Sequence, residues 1–272
     1  MGKDAPVGVF DSGLGGLTVV REIIRQLPEQ QIVYFGDTAR VPYGSKSQST
    51  VIHYTNQILR FLYTREVKAI VVACNTASAY ALEEVRDSVP MPIIGVVKPG
   101  ARVAAHATVN GRIGVIGTEA TVQSGLYTRY IQELSPGVQV FSKACPLFVP
   151  LVEEGMWKDS VTTEIASRYL SVLKEAEIDT LILGCTHYPL IRSTIREVMG
   201  ERVNLVNPAY ETAVELRRTL ERYDLMPDRS HPAEIGEHSF FVSDDPEHFR
   251  RFASDVLKTE IRLPEKIAIE EY

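Results

Sequence analysis

The sequence predicts an α/β fold made of two similar halves, each built on a mostly parallel sheet. Three observations carry this. Short apolar runs alternate with helical patterns along nearly all of the 272 residues. The runs are rich in Val and Ile and apolar at odd and even positions alike, as in strands covered on both faces. Pieces of the chain also recur. Val7-Gly8-Val9-Phe10-Asp11-Ser12 resembles Ile113-Gly114-Val115-Ile116-Gly117-Thr118 at an offset of 106, and Ala73-Cys74-Asn75-Thr76 resembles Gly184-Cys185-Thr186-His187 at an offset of 111. Matching offsets for two strand–loop pairs point to a duplicated half-molecule.

In chain order, the apolar runs predict strands over 7–10, 32–36, 68–73, 92–96, 112–117, 138–142, 179–184, 203–206 and 239–243. Helical patterns between them include 49–64, 77–87, 121–134, 160–176, 189–199 and 209–223. Asp159-Ser160 supplies a cap for the fourth of these helices. Pro189 sits where a first-turn proline is tolerated. The Pro- and charge-rich stretch 226–237 reads as a loop before the last strand and helix. Alternation at this spacing implies parallel sheets with right-handed crossovers. In such sheets ligands lie beyond the carboxyl ends of the strands, so the loops after 7–10, 68–73, 112–117 and 179–184 should meet in one cleft.

Composition narrows the class. Hydrophobic content of 44% and charged content of 24% are those of an ordinary globular chain. The net charge of −6 argues against a nucleic-acid partner and leaves small anions open. Three cysteines in a chain of this size argue for reduced thiols rather than a disulfide framework, and for a cytoplasmic protein. Met1-Gly2-Lys3-Asp4-Ala5-Pro6 runs straight into a strand-like segment, so no secretory leader is expected. No apolar run approaches the roughly 20 residues of a membrane span.

The two cysteine motifs are the best candidates for chemistry. A free cysteine is often just a small buried hydrophobe. Cys74 and Cys185, however, each end an apolar run and precede polar residues, Asn75-Thr76 and Thr186-His187. A thiol between a strand end and a helix N-terminus has its thiolate stabilised by the dipole and free N–H groups. As a pair facing one cleft, the two form an acid and a base. His187 is placed to tune Cys185 or to donate a proton. Cys145, in Ala144-Cys145-Pro146-Leu147, has no polar follower and reads as structural. The cysteines lack the close spacings of a metal site.

Asp11-Ser12-Gly13-Leu14-Gly15-Gly16 follows the first strand, where glycines permit close approach and positive φ. The segment resembles a phosphate cradle, but it fits neither G-x-G-x-x-G nor a P-loop. Asp11 would repel phosphate and suits an ammonium group or a neighbouring thiol. Val41-Pro42-Tyr43-Gly44 ends a loop whose Tyr43 and Gly44 offer hydroxyl and backbone hydrogen bonds. Glu153 and Glu154, taken alone, read as solvated surface.

Together the segments 8–16, Pro42-Tyr43-Gly44, Ala73–Ser78, Gly114–Thr118, Leu183–Leu190 and Glu211-Thr212-Ala213 resemble the glutamate racemases of the aspartate/glutamate racemase superfamily. The likeness covers most of residues 5–225. Val206-Asn207-Pro208-Ala209 departs from it, where many relatives carry a small polar segment with aspartate or serine. The resemblance implies two pseudo-symmetric α/β domains with the site in the cleft between them. The first would span 1–97 plus 208–272 and the second 98–207. It implies cofactor-independent, metal-free racemisation of glutamate by two cysteines, supplying D-glutamate for peptidoglycan, in a homodimer. Cys74 would deprotonate D-glutamate with help from Asp11. Cys185 would deprotonate L-glutamate with help from His187 and Glu153. Ser12, Tyr43, Gly44, Asn75, Thr76 and Thr186, with Thr118 and Thr121, would hold the substrate. An aspartate racemase would share the cysteines, a one-cysteine decarboxylase would lack one, and a two-domain binding protein would need neither.

Overall fold

The structure, a computed structural model, describes residues 2–272. Its strands are β1 (Val7–Asp11), β2 (Ile32–Gly36), β3 (Ala69–Val72), β4 (Ile93–Gly95), β5 (Arg112–Gly117), β6 (Gln139–Ala144), β7 (Thr180–Gly184), β8 (Asn204–Val206), β9 (Ser239–Val242) and β10 (Glu265–Lys266). Its α-helices are α1 (Leu17–Gln26), α2 (Gln48–Thr64), α3 (Asn75–Tyr80), α4 (Leu82–Val85), α5 (Val97–Ala107), α6 (Glu119–Gln123), α7 (Leu126–Leu134), α8 (Phe148–Glu153), α9 (Ser160–Glu175), α10 (Arg192–Met199), α11 (Pro208–Arg222) and α12 (Pro246–Leu257). All nine strands anticipated from the sequence are present. The two-residue β10 is too short to leave a pattern.

The strands form two wholly parallel sheets, in the orders β10-β9-β2-β1-β3-β4 and β6-β5-β7-β8. The second sheet repeats the order β2-β1-β3-β4 of the first. The registers repeat as well: Val7 pairs with Ala69 in one sheet and Ile113 with Thr180 in the other. These partners stand at the two offsets read from the sequence. Residues of β1, β2, β3, β5 and β7 are almost all buried, which accounts for their continuous apolar runs.

Several helices end where local chemistry dictates. Ser47, Asp159 and Asn207 cap α2, α9 and α11 by accepting from the N–H groups of Thr50, Val161 and Ala209. The stretch expected as one helix over 77–87 is instead α3, α4 and a 3₁₀ turn at Arg86–Ser88. That expected over 121–134 is split into α6 and α7 by Gly125, whose φ is +62°. The pattern over 189–199 opens with a 3₁₀ turn, Tyr188–Ile191, before α10. The helices α5 and α11 pack on one another where the two sheets meet, α5 also against α7 and α11 also against α1. This brings the carboxyl ends of β1, β3, β5 and β7 to one cleft. No helix among the described residues is long and apolar enough to cross a membrane.

Candidate active site

Asp11 is the last residue of β1 and is fully buried. Its Oδ2 accepts from the Gly13 N–H at 3.1 Å, and its Oδ1 from the Thr186 hydroxyl at 3.5 Å. Burial raises its pKa above the usual carboxylate range; His187 and the N–H groups of Gly16, Gly13 and Ser12 pull it back. There is no hydrogen bond between Asp11 and Cys74; the carboxylate faces the Thr186-His187 turn.

The glycines after Asp11 do not have positive φ, contrary to the sequence expectation. They are there for close approach. A Cβ on Gly16 would lie 2.5 Å from Asp11 Cβ, and one on Gly15 would lie 2.3 Å from Thr186 Oγ1. Thr18, at the start of α1, donates to the Thr186 carbonyl at 2.8 Å. The segment that resembles a phosphate cradle is therefore the seat for the Cys185 loop of the other half.

Cys74 caps α3, its Sγ accepting from the Ala77 N–H at 3.5 Å and donating to Ser12 Oγ at 3.6 Å. The sequence suggested a stabilised thiolate. Burial, with the nearby Asp11 charge, instead pushes the thiol up to about 12, and the N–H of Ala77 and the contacts to Ser12 offset only part of this. A helix of six residues has a small dipole to set against desolvation.

Cys185 follows β7, but no α-helix opens behind it. The chain turns through Thr186 and His187 into the 3₁₀ turn, so the two thiols have different settings. His187 supplies what a helix end does not. Its Nδ1 lies 3.8 Å from Cys185 Sγ and its Nε2 2.9 Å from Glu153 Oε1, at the end of α8. Burial alone would lower the imidazole pKa; the bonds to Cys185 and Glu153 outweigh it and hold His187 up to about 10.

The loop after β2 closes over these groups. Tyr43 is buried, and its hydroxyl donates to Asp37 Oδ2. That hydroxyl is used inside the loop rather than offered to a ligand. Asp37 also accepts from Arg40 Nε, at 3.0 and 2.7 Å on its two oxygens, and from Ser243 Oγ at 2.9 Å. The Arg40 guanidinium lies 4.0 Å from the centre of the Tyr54 ring. Sequence reasoning missed Asp37 and Arg40, although both follow the carboxyl end of a strand. Gly44 reaches the other half, where an added Cβ would come 2.7 Å from Thr118 Cβ.

Hydroxyls from both halves meet beside it. Thr76 Oγ1 lies 2.9 Å from Thr118 Oγ1 and 3.4 Å from Thr121 Oγ1. Asn75, next to Cys74, accepts from the Tyr127 hydroxyl at 2.7 Å.

Ser12, Tyr43, Gly44, Cys74, Asn75, Thr76, Thr118, Glu153, Cys185, Thr186 and His187 all line one cavity of about 50 Å³. Asp11 and Thr121 stand behind that wall, and Cys145 is buried away from it. A larger hollow of about 300 Å³, lined by Ser78, Arg86, Lys98 and Arg102 among others, holds none of these residues. Among the described residues no group of three or more His, Cys, Asp or Glu is placed to hold a metal ion.

Comparison with known proteins places the chain in a family. The family model for Asp/Glu/Hydantoin racemase matches residues 7–216. The glutamate racemase of Geobacter metallireducens is 51% identical over 252 residues, 92% of each chain. That of Thermoanaerobacter pseudethanolicus is 43% identical over 98% of each. Among solved structures, a glutamate racemase isoform from Bacillus anthracis superposes with a TM-score of 0.93 at 40% identity, covering 98% of this chain and 99% of that one. The Francisella tularensis enzyme in complex with D-glutamate has a TM-score of 0.92 at 37% identity, over 99% and 100% of the two chains. With thiols from both halves in one cavity, and with these relatives, the chain belongs to the Asp/Glu/hydantoin racemase family and is an isomerase grouped with the glutamate racemases.

Proposed function

We propose that the protein interconverts L- and D-glutamate without a cofactor, by proton transfer at the α-carbon between two cysteines. The observation that carries this is the position of Cys74 and Cys185, one from each half, on the wall of the same cavity. The relatives' glutamate racemase activity supports the substrate.

The α-proton of an amino acid is far less acidic than a thiol of pKa ~8.5. The site must therefore stabilise negative charge at the α-carbon with fixed donors and exclude water. In one direction the Cys185 thiolate takes the Cα–H proton, and Cys74 gives its S–H proton to the opposite face. The carbon is inverted and the thiols exchange protonation state; the reverse direction exchanges them back. His187 and Glu153 are arranged to move a proton at Cys185. Cys74 has Ser12 as its side-chain partner, with Asp11 close enough to act by charge. Asn75, Thr76, Thr118 and Thr186 supply donors for carboxylates, with Thr121 behind Thr118. Ser12, Tyr43 and Gly44 shape the wall.

In this reading the two units are 1–97 with 208–272, and 98–207. The enzyme works in the cytoplasm as a homodimer and supplies D-glutamate for peptidoglycan.

The test is a circular dichroism assay of purified protein with L- and D-glutamate, no cofactor added, and aspartate as the comparison. Turnover of glutamate should place solvent deuterium at the α-position. Normal rates in Cys74→Ala or Cys185→Ala, or product without deuterium, would falsify the scheme.

A further inference from the structure

Tyr127 lies outside every motif in the sequence, yet it touches both cysteine loops. It is the second residue of α7, and Gly125, with a φ of +62°, starts that helix at the cleft. The side chain is 2% exposed. Its hydroxyl donates to Asn75 Oδ1 at 2.7 Å, across from the second half to the residue after Cys74. Its ring edge packs on Gly184, the residue before Cys185: a Cβ there would sit 3.2 Å from Tyr127 Cε2. The other edge faces Gly100, where a Cβ would sit 3.5 Å from Cε1.

The chemistry of the Asn75 amide gives this contact a consequence. An amide offers an oxygen that accepts and a nitrogen that donates, and the two exchange places when the group flips. With Oδ1 taken by the Tyr127 hydroxyl, Nδ2 is the end left over. Asn75 lines the cavity, and among the described residues no protein group accepts from its Nδ2. The amide then presents its two N–H bonds to whatever fills the cavity. Without the tyrosine hydroxyl nothing fixes the flip, and the oxygen is free to face an anionic ligand.

We propose that Tyr127 is a positioning residue for the racemisation. It locks the Asn75 amide with its N–H donors toward a substrate carboxylate, and it does so from the half that carries Cys185. The amide is correctly presented only when the two halves are together. This rests on the glutamate reading above.

The experiment uses the whole enzyme and the variants Tyr127→Phe, Asn75→Ala and the double substitution. Racemisation by the wild type comes first; its absence would remove the glutamate reading itself. Given wild-type turnover, Tyr127→Phe should raise KM for both enantiomers about tenfold, the size of one lost hydrogen bond to a buried partner. The change in kcat should be smaller, and the melting temperature should hold close to wild type. Calorimetric Kd values for glutamate, which need no turnover, close the cycle. Once Asn75 is Ala, Tyr127→Phe should weaken binding no further. Unchanged KM in Tyr127→Phe overturns the proposal while leaving the function intact. So do effects of the two substitutions that simply multiply, since a tyrosine that only fills space would act independently of the amide.

Discussion

Gly15 lies so close to His187 that a Cβ added to it would stand 2.5 Å from the ring Nδ1 and 2.6 Å from Cε1. The imidazole has little room to yield, because Glu153 and Cys185 hold its two nitrogens. Gly15→Ala should therefore push the Thr186-His187 turn away from the first half. Overpacking of this kind costs about 1–3 kcal/mol. The variant should show a lower urea midpoint and at least a ~10-fold loss of kcat. Wild-type rate and stability would contradict the assigned role of this glycine.

His187 gives a pH dependence with a defined sign. Its pKa is raised from 6.5 to about 10 in the folded protein. The folded state thus holds a proton that the unfolded state releases. The resulting stabilisation is complete below pH 6.5 and is lost as pH rises toward 10. Lys68, lowered by burial to about 8, contributes the opposite slope from there upward. The clean window is therefore pH 6.5 to 8. Stability measured by urea unfolding should fall across it in the wild type and stay flatter in His187→Gln. Parallel curves would mean that the imidazole is not held charged.

Arg40 closes the root of the Tyr43 loop onto Asp37, whose side chain is fully buried. Arg40→Ala leaves that carboxylate without its cation and should cost about 3–5 kcal/mol. Arg40→Lys keeps the charge but cannot reach both Asp37 and Gln57 as the guanidinium does. It should be milder in denaturant melts and should raise KM, because Tyr43 and Gly44 lose their fixed support. An equal effect of both variants would mean that charge alone holds the loop.

Cys145 is the control among the thiols. It is fully buried and does not line the cavity. Cys145→Ala should racemise at the wild-type rate in both directions at a stability cost of about 1 kcal/mol. A severe loss of activity would require a part for this thiol that its position does not provide.

The strands and the two cysteine loops were legible because β1, β3, β5 and β7 are inner strands of parallel sheets. Burial on both faces leaves an unbroken apolar run, and the polar residues that follow mark the ligand edge. Helix ends were less legible. The pattern over 77–87 breaks at Ala81 and runs out in a 3₁₀ turn at Arg86–Ser88, and that over 121–134 breaks at one left-handed glycine. Glu153 was recognised only through family likeness, since adjacent glutamates look like surface until the fold sets one 2.9 Å from His187. Thr18, Arg40 and Tyr127 gave no signal. Thr18 and Tyr127 act through partners far away in the chain, and Arg40 through Asp37 three residues back, whose burial only the fold creates; a single threonine, arginine or tyrosine in a helical or loop segment reads as ordinary packing or surface. Of the two uses read for the glycines after Asp11, close approach holds, as room for another loop, and positive φ does not.

The strand β9 pairs with β2, and Ser243 just after it bonds Asp37, 206 residues back. This sets a schedule for biosynthesis. At about 5–20 residues per second, a ribosome needs roughly 10–40 s to make the intervening chain. Until then β2 has an open edge and the Asp37–Arg40–Tyr43 loop lacks one anchor. The thiol-bearing cleft therefore matures among the last parts of the nascent protein. A polypeptide released early would already carry Cys74 and Cys185 but would not hold the wall in place around them.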